Sequence, residues 1–247
     1  TSAQNIIKCC NQSGLDVEDI VLEPLSSSQA VLSPDEQEVG VVLVDIGGGT
    51  TDVTIYSEGS IVHTSVLALG GNHLTHDIAI GLGAPLREAE EIKHKFGVAM
   101  ASMVEENEMI DVPSVGGRNN RTMQKRVLAS IIEDRFREIF ELIAHEIEKT
   151  HFHTLMASGV VITGGTCIMS GADRLASQVL NLPVRVGYPE NISGLREMIY
   201  SPKYATSVGL VRYGITSNQG KLNFVGDDTN LFHKVSRRMK DWMQEFF

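Results

Sequence analysis

The sequence predicts a mixed α/β fold, and three observations carry that prediction. Short β-branched runs alternate with segments of helical periodicity along the chain. Two of those runs flank a turn with three successive glycines, and a second glycine turn follows another apolar run much later in the chain.

Taken in order, residues 2–11 carry helical spacing and run on to Gly14, a suitable C-cap. Residues 17–25 read as a short strand closed by Pro24 and Ser26-Ser27-Ser28, and 35–38 as a charged turn. Residues 39–44 and 53–56 are strands joined by Asp45-Ile46-Gly47-Gly48-Gly49-Thr50-Thr51-Asp52, a hairpin with a glycine-rich bend, and 61–69 complete a meander. A helix is expected over 74–81, and another opens at Pro85, runs to Phe96 and stops at Gly97. Residues 102–121 are polar, with a strand expected at 110–115. Over 124–150, Leu128, Ile131, Ile132, Phe136, Ile139, Ile143 and Ile147 recur at spacings of three and four, which predicts one long amphipathic helix. Residues 160–163 form a buried strand entering Gly164-Gly165-Thr166, followed by a helix over 171–180 and a short strand at 184–186. Residues 205–213 are helical, 214–230 form a polar linker, and 231–247 form a basic amphipathic helix.

Composition narrows the function. A formal charge of −10 argues against a nucleic-acid binder, whose phosphate contacts need clustered Lys and Arg. The central apolar run 39–44 ends at Asp45, far short of a membrane span, and the polar opening residues do not resemble a secretory leader. Three cysteines, with Cys9 and Cys10 adjacent, read as reduced thiols rather than a disulfide framework.

The chemistry concentrates at the glycine turns. Three glycines in a row let backbone amides approach an anion without Cβ interference, and Thr50 and Thr51 add hydroxyls. Asp45 ends a buried strand, where an ionised carboxylate needs a cation or strong donors; Mg²⁺ beside phosphates would meet that need. The plainer alternative is a bend in a β-hairpin. Gly164-Gly165-Thr166, at a strand-to-helix junction, is equally readable as a ligand-approach turn or a tight turn.

Together the two turns, separated by an inserted segment, resemble the second phosphate loop and the adenosine loop of the actin/Hsp70/sugar-kinase ATPase superfamily. Within it, Asp45–Asp52, Val112-Pro113-Ser114-Val115-Gly116-Gly117-Arg118, Asn191-Ile192-Ser193-Gly194-Leu195 and Ala205-Thr206-Ser207-Val208-Gly209-Leu210 resemble the FtsA family of bacterial cell-division proteins, along essentially the whole chain. The resemblance implies an actin-like (ribonuclease H-like) ATPase subdomain with an inserted α/β subdomain. It divides the chain into 1–38 as the trailing piece of a first large subdomain, 39–72 and 155–202 as the second large subdomain, 73–154 as the insertion, 203–214 as a returning helix, 215–230 as a linker and 231–247 as a membrane-targeting helix. Nothing matches the family's first phosphate loop, so the chain reads as the carboxy-terminal part of a longer protein.

The resemblance implies ATP and Mg as cofactors. Asp45 would organise Mg²⁺, and Gly47, Gly48, Gly49 and Thr50 would cradle the phosphates. Gly164, Gly165, Ile168 and Met169 would line the adenosine, Glu90 and Lys93 would reach adenine and ribose, and Gly70 would flank the cleft. Glu23 would position water or Mg²⁺ as the one catalytic candidate of what is at most a weak ATPase. Without the resemblance, Glu23 is a solvated glutamate, Glu90–Lys93 a surface ion pair, and Gly70-Gly71 a plain loop.

In the tail, Val235, Met239, Trp242, Met243, Phe246 and Phe247 fall on one helical face beside Arg237 and Arg238, a pattern suited to an anionic bilayer surface; a helix packed on protein is the alternative. The implied function is a tether of the FtsZ ring at the cytoplasmic face of the inner membrane, at the division septum. Its implied partners are FtsZ, later division proteins, anionic membrane lipids and copies of itself in actin-like filaments. An ATP-dependent small-molecule, sugar-type kinase of the same superfamily is the second reading, and it gives no reason for the tail.

Overall fold

A computed structural model describes residues 2–114, 119–150, 157–190, 192 and 196–222. The chain divides into two compact units, Thr1–Val211 and Arg212–Phe247, and the sheet lies in the first.

The elements are α1 Ser2–Gln12, α2 Glu23–Val31, α3 Pro34–Val39, β1 Val41–Ile46, β2 Thr51–Ser57, β3 Ser60–Leu67, α4 Gly71–Leu82, α5 Leu86–Phe96, β4 Met109–Val112, β5 Arg121–Gln124, α6 Lys125–Lys149, β6 Val160–Thr163, α7 Ala172–Leu180, β7 Val184–Val186, α8 Arg196–Ile199 and α9 Ala205–Leu222. Five strands form one sheet in the order β3-β2-β1-β6-β7. β1–β2 and β2–β3 pair antiparallel, whereas β1–β6 and β6–β7 pair parallel. β4 and β5 form a separate hairpin. The segment from α4 to α6 is thus inserted between two strands of one sheet.

Strand alternation assigns residues to faces. Val42, Val44, Ile46, Val53, Ile55, Val160 and Ile162 share a core with Leu74, Ile78, Leu128, Ile132, Phe136 and Leu175 from α4, α6 and α7. Val41, Leu43, Tyr56 and Val161 pack on the other face with Ala30, Val31 and Ala205 from α2 and α9. Burial on both faces explains why β1 is a continuous apolar run. It also directs Asp45, in step with Val41 and Leu43, towards α2. The predicted stripe of α6 is the longest buried helix face, with Phe136 and Phe140 stacked 5.6 Å apart.

The helix layer on the α2 side is pinned by Arg185 of β7. Its guanidinium donates to both oxygens of Glu36, at 2.7 Å each, and to the Val31 carbonyl at 2.8 Å. Burial would raise the Glu36 carboxyl, but Arg185 and the Ser33 cap hold it below its usual range.

Three expectations are corrected. Residues 17–25 are not a strand: the chain to Leu22 is irregular, and Glu23-Pro24 opens α2, with proline in the first turn where its missing N–H is harmless. The charged turn at 35–38 is α3, closed by a capping box in which Ser33 and Glu36 satisfy each other's backbone amides. Residues 214–222 are not linker but the end of α9, which continues to Leu222; residues 223–230 and the helix expected at 231–247 lie outside the described residues, as do 115–118, 191 and 193–195 of the motifs quoted above. Among the described residues, no helix is long and apolar enough to cross a membrane.

Candidate functional site

The site begins where β1 ends. The chain turns through Gly47–Thr50, with the Gly47 amide donating to the Thr50 carbonyl at 2.9 Å. Gly48, Gly49 and Thr50 are exposed, and their amides have no acceptor among the described residues. The carbonyls of the loop are engaged instead. Gly47 O accepts the Gly71 amide at 2.9 Å and the Thr166 hydroxyl at 2.8 Å, and Gly48 O accepts the Asn72 amide at 2.7 Å. One loop is therefore held by the start of α4 and by the second glycine turn.

Two glycines are required for that junction. A Cβ at Gly70 would lie 2.7 Å from Gly47 O and 2.8 Å from Gly48 O. Gly164 has φ +93°, and a Cβ there would meet Asp45 Oδ1 and Ile46 O at 2.5 Å. By contrast, a Cβ at Gly48 meets only the Asn72 side chain, at 3.5 Å or more, and one at Gly49 meets nothing within 4 Å. The fold itself does not need glycine at those two positions.

Beside the loop lies a cavity of about 400 Å³. Of the residues singled out in the sequence, Gly48, Glu90, Lys93, Gly165, Ile168 and Met169 line it. Gly70 and Gly164 do not line it, nor do Glu23, Asp45, Gly47, Gly49 and Thr50. Thr166, named in the sequence as part of the glycine turn, also lines it, as do Asn72, His94 and Lys203, which were not foreseen.

Glu90 and Lys93 are neighbours on α5 and are far from an ordinary surface pair. Lys93 is 9% exposed, and its ammonium donates to Gly71 O at 3.0 Å, Thr75 Oγ1 at 2.8 Å and Glu90 Oε2 at 2.8 Å. Glu90 also accepts from Thr75, and His94 Nε2 lies 2.9 Å from its other oxygen. Burial would raise the Glu90 carboxyl, yet the bonds from Lys93 and Thr75 and the charges of Lys93 and His94 hold it below its usual range.

On the α2 side the balance is reversed. Asp45 is buried and accepts Ser27 Oγ at 2.6 Å; Ser27 lies 3.0 Å from Thr206 Oγ1, which lies 3.4 Å from Glu23 Oε1. Burial pushes the Asp45 carboxyl up, and nearby Glu23 adds to that against the hydroxyl bonds. Asp52, nearly buried, is pushed up to about 6 by burial and by the charges of Glu23 and Asp45. Among the described residues, no basic side chain forms an ion pair with these three acids. Among the described residues, no three His, Cys, Asp or Glu side chains stand close enough to hold a metal by themselves. The donor set suits a hard cation that keeps most of its ligands from water and phosphate, as Mg²⁺ does. Cys167, below the second turn, is fully buried, and burial pushes its thiol well up, so its role is packing. Val235, Arg237, Arg238, Met239, Trp242, Met243, Phe246 and Phe247 lie outside the described residues.

Solved structures share the fold. MreB5 of Spiroplasma citri, bound to ADP, superposes with a TM-score of 0.72 at 19% identity, covering 90% of this chain and 67% of that one. The PilM-PilN type IV pilus biogenesis complex gives 0.64 at 16% identity, covering 86% and 57%. The architecture is thus an actin- and MreB-like α/β fold. Among curated proteins, the cell division protein FtsA of Pseudomonas aeruginosa is 41% identical over 100% of this chain and 60% of its own length. That of Escherichia coli K12 is 39% identical over 99% and 60%. The chain therefore spans about 60% of the length of these relatives. The family model described as "Cell division protein FtsA" matches residues 42–209, more than half of the sequence. With its glycine turns joined as the sequence pairing anticipates, this chain belongs to the FtsA family.

Proposed function

We propose that the cavity and its loop bind ATP with Mg²⁺, and that the chain serves as part of an actin-like cell-division tether. The observation that carries this reading is the phosphate-loop geometry: the carbonyls of Gly47 and Gly48 are held by α4 and Thr166, while the amides of Gly48, Gly49 and Thr50 stay exposed beside the cavity.

Gly48, Gly49 and Thr50 would hold phosphate oxygens through those amides. Asp45, oriented by Ser27, would hold the cation, with Asp52 adding negative charge nearby. Bound Mg²⁺ supplies positive charge that neutralises both the phosphates and these acids. Gly165, Ile168, Met169 and Glu90 would bound the nucleoside. Glu23 stands near Thr206 and close enough to raise Asp45 and Asp52, a place consistent with orienting water or the cation. We keep 39–72 with 155–202 as one subdomain and 73–154 as its insertion, a reading supported by the position of α4–α6 between β3 and β6.

The cellular role rests on family membership and on the tail. We assign the tail residues from Val235 to Phe247 to an anionic leaflet, on the cytoplasmic face of the inner membrane at the septum, and take FtsZ, later division proteins and further copies of the chain as partners. The relatives named above do not favour the small-molecule kinase reading.

The test is a calorimetric titration with Mg-ATP of the chain and of Gly48→Val. Because a Cβ at Gly48 meets only ordinary contact in the fold, the variant should keep its melting temperature and lose ATP binding at least tenfold, about 1.4 kcal/mol. Equal binding by both would make the bend purely structural.

A further inference from the structure

We propose that Lys93 is a positioning residue, a brace that sets the phosphate loop from inside the inserted segment, rather than a group that donates to the nucleoside. The proposal rests on the nucleotide reading of the cavity and changes what one of its walls does.

An ammonium has three N–H donors. In Lys93 all three have acceptors within the protein: Gly71 O, Thr75 Oγ1 and Glu90 Oε2. A ligand hydroxyl would have to displace one of these from a buried, charge-assisted bond. The Gly71 bond is the informative one. Gly71 is the first residue of α4, whose opening amides have no partner within the helix. Those of Gly71 and Asn72 are satisfied by Gly47 O and Gly48 O of the phosphate loop. Lys93 therefore grips, by its carbonyl, the same residue whose amide grips the loop. The line runs from α5 through Gly71 to Gly47 O, which Thr166 holds from the second turn.

The line is closely packed at Gly71. A Cβ at Gly71 would come within 2.6 Å of Thr166 Oγ1 and 3.6 Å of Lys93 Nζ. A shift of α5 is thus passed to the amides of Gly48 and Gly49 with little absorbed on the way. Contact of a nucleoside with α5, through Glu90 or His94, would be felt at the phosphate end of the cavity.

The experiment compares the chain with Lys93→Met, which keeps the stem and removes the donors. Without ligand, amide exchange at Gly71 and Asn72 should accelerate about tenfold or more, while amides within β1 and β2 keep their rates. Unchanged exchange at Gly71 and Asn72 overturns the brace. If Lys93→Met loosens the whole fold, Lys93→Gln, which retains an amide donor, is measured against the same criterion. In titrations, the variant should lose about tenfold in affinity for Mg-ATP and less than about twofold for adenosine. A loss of equal size for both ligands places Lys93 on the nucleoside and overturns the proposal. If the unsubstituted chain binds neither ligand, the nucleotide reading fails, and the brace is decided by the exchange rates alone.

Discussion

Two groups of carboxylates flank the loop after β1, and they are balanced in opposite ways. On the α5 side, Glu90 has a lysine, a histidine and a threonine as partners, and its carboxyl is held down. On the α2 side, Asp45 and Asp52 are buried with the exposed Glu23 nearby, no basic partner pairs with them among the described residues, and Asp45 and Asp52 are pushed up. The comparison separates architecture from ligand demand. A charge compensated within the protein fastens elements together, whereas one left uncompensated in a buried place is a cost unless something binds there.

The largest way to break the site is through architecture. Gly164→Ala imposes a Cβ at positive φ against Asp45 Oδ1 and Ile46 O, and should cost roughly 3 kcal/mol or more in chemical denaturation. Gly49→Ala, with open space around it, should change stability by about 0.5 kcal/mol or less.

On the α2 side, acidity sharpens the contrast. Asp52 binds its proton more tightly in the fold, at about 6, than in an unfolded chain near 3.8. The folded state thus holds the extra proton between those values, and stability falls as pH rises from 4 through 6. Relative to Asp52→Asn, the decline should be on the order of 1–2 kcal/mol after allowing for solvent screening. Melting curves at pH 4 to 7 check it, and millimolar Mg²⁺ should flatten the slope.

The α5 side should behave conversely and more weakly. The Glu90 carboxyl is lowered, so its stabilising contribution is present above about 4.5 and is lost as pH falls through its folded value. Its side chain is 39% exposed, which screens the pair. Glu90→Gln should therefore cost under about 1 kcal/mol at pH 7 and nothing measurable in acid, read from urea midpoints at both pH values.

What the sequence made legible followed from local chemistry. The three glycines, the acid ending β1 and the α6 stripe are properties of adjacent residues, and the helix Ala205–Leu222 was visible as far as its apolar spacing lasted. The reading failed where long-range context decides. Val17, Ile20, Val21, Leu22 and Leu25 form an apolar run that suggests a strand, but among the described residues they pair with no strand, and Ile20 and Leu22 are 52% and 67% exposed. Spacing placed Glu90 and Lys93 on one helix face; it could not reveal that Lys93 is buried against Gly71. Thr166 reaches the cavity because β6 pairs beside β1, and Lys203 because the turn at residues 202–204 packs against the turn that holds Thr166.

The most direct measurement is ATP affinity with and without Mg²⁺, in the chain and in Asp45→Asn. The account predicts that Mg²⁺ tightens ATP binding to the chain by about tenfold or more, and that Asp45→Asn, while at least as stable without ligand, loses that Mg²⁺ dependence. Identical affinities in Mg²⁺ and in chelator for the chain, or an undiminished Mg²⁺ effect in the variant, would contradict the claim that the uncompensated acids await a cation.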